Sequence, residues 1–376
     1  MNDEDLMAIS GLTNEIRNEI RTAGPMLFSR FMALALYHPS DGYYSQCFER
    51  VGPEGDFITS VSSSELFGQL LAERIRFSLV DRDLSAPGGL ELVEAGAHDG
   101  RLARDILSYF AQFYPREYEK LRYLVVEPSE RRQSVQEKLL EPHLSVVSWT
   151  RSWESIPEHS INGCIFSNEL LDAFPVERTF WHPPSGSWHP WRVEADSGRF
   201  RWAQDFESPV PLDVKQFTDA TPEPLRPHLP ADFTTEVHSA ACQWWREAAK
   251  RLGKGYLIAF DYGLKQEEFF APHRHEGTLR AYYKQRQSSD ILAHPGQQDI
   301  TAHVNFSAIE TAGQESGLIT CELQSQEAFL MRTLQELITH QPKSPLLMPE
   351  KLKTFQTLAH PSHFGRSFSV LTQQRT

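Results

Sequence analysis

Leu90-Glu91-Leu92-Val93-Glu94-Ala95-Gly96-Ala97-His98-Asp99-Gly100 carries a short apolar run into a glycine-flanked turn, and a helical pattern follows from about Leu102 to Tyr114. Such a strand, turn and helix N-terminus lets backbone approach a ligand closely, because glycine tolerates the left-handed conformations that a tight turn needs. The spacing is E-x-G-x-x-x-G and lacks the middle glycine of a dinucleotide fingerprint, so a tight turn without a ligand stays open on this stretch alone. Glu127 lies 27 residues past Gly100, at the end of the next apolar run, Tyr123-Leu124-Val125-Val126. A carboxylate there can accept hydrogen bonds from both hydroxyls of a ribose; a solvated strand-end acid is the other reading. Ligands of open α/β sheets bind beyond the carboxyl ends of the strands, where both motifs fall.

Working outward, the periodicity predicts a helix after Glu127 through Leu140, strands over Leu144–Trp149, Gly163–Ser167 and Gly255–Asp261, and late strands over Leu318–Leu323 and Ser367–Leu371. Strands alternating with helices imply a parallel sheet with right-handed crossovers, hence a doubly wound α/β fold. Upstream, Leu6–Leu36 reads as helix broken at Gly24-Pro25, and Ser62-Ser63-Ser64-Glu65 offers caps for a helix to about Val80. Thr179–Asp213, with Trp181, Trp188, Trp191 and Trp202 among Pro, Gly and Ser, predicts an insertion of antiparallel hairpins. A helix over Val237–Leu252 and a long polar loop from Gly263 to Asp299 complete the chain. The expected organisation is an N-terminal helical cap over 1–85, a core of 86–178 and 250–376, and an inserted substrate-side subdomain over 179–249.

Two further stretches carry candidate chemistry. Ser167-Asn168-Glu169-Leu170-Leu171-Asp172-Ala173-Phe174-Pro175 follows the fourth strand, which places Asn168, Glu169 and Asp172 at the same sheet edge. An amide and carboxylates there can orient a nitrogen nucleophile; helix capping by Asn168 with Glu169 on the first turn is the plainer alternative. In Gly55-Asp56-Phe57-Ile58-Thr59-Ser60, Asp56 can reach a ligand or close an Asx-turn. The fifteen histidines show no metal-ligand spacing, and neither a phosphate-binding Walker loop nor G-x-S-x-G occurs, so no metal is expected.

Composition excludes several classes. The 376 residues are 40% hydrophobic and 23% charged, which suits a globular protein with a large core. The net charge of −13 opposes nonspecific binding to nucleic acid or anionic lipid and suits a basic partner. Cys47, Cys164, Cys242 and Cys321 are scattered, which disfavours a disulfide framework or a zinc site and fits a reducing compartment. The N-terminus is acidic where a signal peptide is basic, and no run approaches the roughly 20 apolar residues of a membrane span. The expected location is cytoplasmic, or an organelle matrix if a targeting segment has been removed.

Taken together the motifs resemble the MidA family of class I methyltransferases. The resemblance spans most of the chain. It begins with Gly24-Pro25, Phe31-Met32, Leu36-Tyr37-His38-Pro39 and Gly42-Tyr43-Tyr44, and continues with Gly55–Ser60, Phe67-Gly68, Glu94–Gly100, Ser167–Pro175 and Phe260-Asp261-Tyr262-Gly263. It ends with Gly277–Tyr282, His294-Pro295-Gly296 and Asp299–Val304. It implies S-adenosylmethionine as cofactor, a seven-stranded core, and a cofactor site drawn from Asp56, Thr59, Ser60, Glu94, Gly96, His98, Gly100 and Glu127. It implies also that the N-terminal helices and the insertion form the acceptor side, that Asn168 and Glu169 border the transferred methyl group, and that the acceptor is a protein arginine. A guanidinium must be held by carboxylates: Glu169 is the first choice, Asp172 or Asp56 the second, with Asn168 orienting. The expected partner is a basic protein substrate, with a homodimer compatible.

Two departures stand out. The family reads E-x-G-P-G-R-G where this chain has Ala97-His98-Asp99 between the outer glycines, and it carries a histidine near Gln285. A histidine at 98 disfavours positive φ and crowds the cofactor. The competing readings are a non-catalytic assembly factor with a degraded cofactor loop, and a nicotinamide-dependent oxidoreductase.

Overall fold

The computed structural model describes residues 11–46, 61, 64–79, 89–208, 210–219, 221–283, 286–360 and 368–376. Asp56, Thr59, Ser60, the Pro87-Gly88 boundary and Gln285 lie outside the described residues. The chain divides into two compact units. A core unit comprises Glu49–Leu171, Gln243–Gly263 and Ile309–Thr376; an insertion unit comprises Met1–Phe48, Asp172–Cys242 and Leu264–Ala308.

The core unit is built on seven strands: β1 (Glu91–Ala95), β2 (Arg122–Val126), β3 (Val147–Thr150), β4 (Ile161–Asn168), β5 (Leu252–Leu264), β6 (Ile319–Ser325) and β7 (Phe368–Arg375). Their order is β6-β7-β5-β4-β1-β2-β3. Strands β1 to β5 are parallel, and β7 runs antiparallel between β5 and β6. The order reverses between β1 and β4, which makes the carboxyl ends of these two strands the switch point where such sheets bind ligands.

Helices cover both faces. Leu92, Val125, Phe166, Phe260 and Val370 share one buried cluster with the helices Leu66–Leu79, Arg101–Phe113, Gln326–His340 and Pro349–Ala359. Successive side chains on a strand face opposite ways, so Gln373 of β7 meets the other layer. Its Oε1 accepts from Trp245 Nε1 on helix Ser239–Arg251 at 2.7 Å, and its Nε2 donates to the Glu310 carbonyl of helix Phe306–Glu315 at 2.9 Å. Burial on both faces explains the continuous apolar runs of β4 and β5. Each fully buried Phe or Leu in these layers contributes on the order of 1.5–3 kcal/mol.

The third strand starts later than expected. Glu141–His143 forms a short 3₁₀ turn, Leu144 is exposed, and pairing begins at Val147. The insertion unit holds an antiparallel sheet of Met26–Leu27, Glu177–His182, Ser187–Asp196, Arg199–Gln204 and Thr234–Val237. The break at Gly24-Pro25 is therefore a strand as well as a helix boundary: Met26 pairs with Val193 and Leu27 with Arg192. The region expected as a polar loop contains a second small sheet, Arg286–Ser288, Arg280–Tyr283 and Asp299–Thr301. These strands are three or four residues long, too short to show a period, and their pairing specifies them. Residues 264–308 accordingly belong with the insertion and not with the core, and the expected boundaries at 178 and 249 shift to 171 and 242.

Candidate active site

The turn after β1 is wound through three left-handed residues: Gly96 at φ 72°, His98 at φ 48° and Gly100 at φ 88°. The positive φ favours glycine at 96; a Cβ there would also stand 2.8 Å from Leu170 Cδ1, the end of a side chain that can shift. Asp99 ties the helix start, its Oδ1 accepting from the Arg101 amide at 3.1 Å. The histidine adopts the left-handed conformation that it was expected to disfavour. Its carbonyl accepts from Gln136 Nε2 at 2.9 Å, which offsets part of the roughly 1–2 kcal/mol cost of that conformation for a residue with a Cβ.

Gln136 is a site residue that sequence reading missed. It is fully buried in helix Glu130–Leu139. The same amide nitrogen that holds the turn lies 3.3 Å from Glu127 Oε2, and Gln136 Oε1 accepts from Trp149 Nε1 at 2.9 Å. One side chain thus couples the turn after β1, the end of β2 and β3. A glutamine on a helix as polar as Glu130–Leu139 reads from sequence as solvated, so nothing local marks it. Glu127 itself follows β2, is 4% exposed, and accepts from the Ser129 amide at 3.0 Å. Burial raises its pKa, partly opposed by Arg132, the Ser129 amide and Gln136.

Glu94 stands apart from the other candidates. It lies within β1, 2% exposed, with Oε2 accepting from Tyr123 OH at 2.5 Å. Burial pushes its carboxyl up to about 8 against the opposing Tyr123 bond, so the group is a neutral acid at pH 7. Its contact is an internal one, to the neighbouring strand.

At the end of β4, Asn168 Nδ2 donates to Glu169 Oε1 at 3.1 Å. Glu169 adopts φ 51°, outside the helical conformation that a capping role implies, and its amide donates to the Phe260 carbonyl at 2.9 Å. The turn is clamped by fully buried Asp261 at the end of β5. Asp261 Oδ2 accepts from the amides of Leu170 at 3.1 Å and Leu171 at 2.7 Å, while Oδ1 accepts from the Tyr262 amide at 2.8 Å. Its block, Phe260–Gly263, is legible in the sequence; its partners, some 90 residues away in the chain, are not.

Gly96, His98, Gly100, Glu127, Asn168 and Glu169 thus gather around the carboxyl ends of β1, β2 and β4 in one unit. Asp172 falls in the insertion unit, 7% exposed, with its carbonyl accepting from the Ala302 amide at 2.9 Å. There Tyr44 OH donates to Asp299 Oδ1 at 2.9 Å, Tyr37 stacks on Tyr44 with ring centroids 5.5 Å apart, and Tyr37 OH donates to the Ala173 carbonyl at 2.9 Å.

The core site suits a nucleoside cofactor. Its first turn is wound through left-handed residues, and Glu127 stands at the end of the neighbouring strand. Among the described residues, Ser167 Oγ and Asn168 Oδ1 are buried at the end of β4 without a hydrogen-bond partner. Fold and site define a nucleoside-binding α/β transferase. Residues 78–323 match the profile of a family of S-adenosyl-L-methionine-dependent methyltransferases, and the chain belongs to that family.

Its relatives agree, and with them the resemblance to MidA. A superfamily member from Burkholderia thailandensis, solved bound to S-adenosyl-homocysteine, superposes with a TM-score of 0.82 at 29% identity, covering 97% of this chain and 92% of that one. A native crystal structure from the same organism gives 0.79 at 30%, covering 97% and 91%. The mitochondrial protein arginine methyltransferase NDUFAF7 homolog of Drosophila melanogaster is 26% identical, over 96% of this chain and 84% of its own. Protein arginine methyltransferase NDUFAF7 of Rattus norvegicus, also mitochondrial, is 25% identical over 98% and 86%. These relatives lend no support to the cytoplasmic location expected from the N-terminus. The protein is an S-adenosylmethionine-dependent methyltransferase.

Proposed function

We propose that this methyltransferase acts on arginine side chains of a protein, with Glu169 as the carboxylate that holds the guanidinium and Asn168 as its orienting neighbour. The observation that carries this reading is the end of β4. Asn168 Oδ1 is buried without a partner beside a Glu169 whose left-handed backbone is strained and clamped by Asp261. Strain of this kind persists where surrounding structure over-determines it, and it clusters at functional sites. When bound, S-adenosylmethionine supplies an electrophilic methyl group. Gly96, His98, Gly100 and Glu127 would hold its nucleoside, with Asp56, Thr59 and Ser60 as further contacts. The task of the chain is to hold the acceptor nitrogen in line and keep its positive charge partnered. Within the insertion unit, Asp172 and Asp299 beside the Tyr37–Tyr44 stack form a set of groups suited to a cation, since carboxylates and ring faces both attract guanidinium. The arginine methyltransferase names of the curated relatives support the same acceptor, and the net charge of −13 suits a basic one. A reducing compartment, organellar or cytoplasmic, fits the scattered cysteines.

The test is Glu169→Gln, which keeps shape and removes charge. Binding of S-adenosylhomocysteine, measured by calorimetry, should stay within about twofold. Methyl transfer to protein in a lysate lacking the enzyme should fall roughly 30–1000-fold, the equivalent of about 2–4 kcal/mol in the transition state. Radiolabel on lysine, carboxylate or a small molecule after hydrolysis would overturn the arginine acceptor, and full activity would remove Glu169 from the mechanism.

A further inference from the structure

Thr278, buried in the insertion unit, joins two segments far apart in sequence. Its Oγ1 donates to Glu236 Oε2 at 2.9 Å and accepts from the His303 amide at 3.2 Å, while its own amide donates to the same Glu236 oxygen at 2.7 Å. Arg280, two residues on, pairs in register with Thr301, two residues before His303. Arg274 comes from the turn Pro272–Arg274, whose carbonyl accepts from the Gly277 amide at 2.8 Å. Burial, and then the guanidinium groups of Arg274 and Arg280, hold the His303 imidazole down at about 4, so both arginines stand beside an uncharged ring.

The charges in this cluster do not balance. Its buried carboxylate is Glu236, and that group already stands 3.7 Å from Arg178 Nε. Arg178 is otherwise used, donating to the Glu276 carbonyl at 2.9 Å. Among the described residues the Arg280 guanidinium bonds the carbonyl of its neighbour Leu279, at 2.8 Å, and acts on Glu236 through space. Among the described residues neither Arg274 nor Arg280 forms an ion pair, and Arg274 Nε and His303 Nδ1 are buried with no hydrogen-bond partner. Arg274, Arg280 and His303 are each only partly buried as whole residues. Two guanidinium groups without an ion pair, acting on a neutral imidazole, supply the donors that an acceptor-only carboxylate takes.

We propose that Arg274, Arg280 and His303 form a subsite for a carboxylate carried by an aspartate or glutamate of the acceptor protein. The subsite rests on the reading of the acceptor as a protein, and it selects among the arginines of that protein by what lies near them in its chain. Glu236 and Thr278 are positioning residues here: they fix the segments that carry the arginines and the histidine.

The experiment uses the full chain with labelled histidine, following the His303 ring signals by NMR, assigned by their loss in His303→Asn. The probes are the capped peptide Gly-Asp-Gly and its Gly-Asn-Gly counterpart. The aspartate peptide should shift the His303 signals saturably and bind about tenfold more tightly than the asparagine peptide, the scale of one charge-assisted contact. Arg280→Gln and Arg274→Gln, each checked by circular dichroism, should each weaken the aspartate peptide about 5–20-fold and leave S-adenosylhomocysteine affinity unchanged. Equal binding of the two peptides would overturn the proposal. So would an Arg280→Gln protein that keeps the aspartate peptide but loses S-adenosylhomocysteine, since the subsite would then serve the cofactor. No methyl transfer is involved, so a failure of the arginine reading alone leaves this result standing.

Discussion

The carboxyl ends of β1, β2 and β4 and the 274–303 region of the insertion unit are both rich in buried polar groups, yet they treat them differently. In the first, one side chain serves several neighbours: Gln136 reaches His98, Glu127 and Trp149, and Asp261 takes three amides. Among the described residues, what is left over there is Ser167 Oγ and Asn168 Oδ1 at the end of a single strand. In the second, Arg274 Nε and His303 Nδ1 are left without a hydrogen bond, and the neighbouring Arg178 Nε and Glu236 Oε1 have each other only as an ion pair at 3.7 Å. An unsatisfied buried polar group costs about 1–3 kcal/mol. The core site is organised before any ligand arrives, whereas the insertion unit holds its polar groups in reserve.

If that contrast is right, damage to the core clamp should be structural first. Asp261→Ala strands the amides of Leu170, Leu171 and Tyr262 and should cost about 3–5 kcal/mol of unfolding free energy, measured by urea denaturation. A loss under 1 kcal/mol would mean that the turn after β4 is held by something else.

Glu94 offers a pH test of the same preorganised region. Its folded pKa, about 8, lies above its unfolded value, so the native state binds the extra proton. Stability from this group is complete below the unfolded pKa near 4.5 and is lost as pH rises towards 8, with a slope of up to about 1.4 kcal/mol per pH unit. Glu94→Gln should flatten that decline between pH 5 and 8. Parallel stability profiles for the two proteins would show that Glu94 titrates normally.

Smaller effects sharpen the picture of the cofactor turn. Glu127→Ala should weaken S-adenosylhomocysteine by about 1–3 kcal/mol in calorimetry, the scale of lost charge-assisted bonds. An unchanged dissociation constant in a folded protein refutes the ribose role. His98→Gly should raise stability by about 0.5–1 kcal/mol. It relieves a left-handed residue, at about 1–2 kcal/mol, against the entropy that glycine adds to the unfolded chain, about 0.5–1 kcal/mol. It should also tighten the cofactor, since the backbone of the turn does the holding; weaker binding would make the His98 side chain itself a ligand contact.

The sequence by itself determined the elements whose signal is local. A strand running into a glycine turn, a helix after it and an acid at the next strand end can be read within a few dozen residues, because side-chain periodicity and turn chemistry are short-range. The Asn168-Glu169 pair was legible for the same reason. Tertiary structure alone decided what depends on residues distant in the chain. Asp261 reaches back to the turn at Leu170, Gln136 links three strand ends, and Met26–Leu27 adds to a sheet formed by residues near 190. Strands of three or four residues between 280 and 301 have no period to read and exist because they pair. Even the conformation of His98 was settled this way. Intrinsic preference argues against positive φ, and a carbonyl held by a glutamine from the helix after β2 offsets part of that cost. Preferences of about 1 kcal/mol per residue are set locally, but the packing and hydrogen bonds that override them are not.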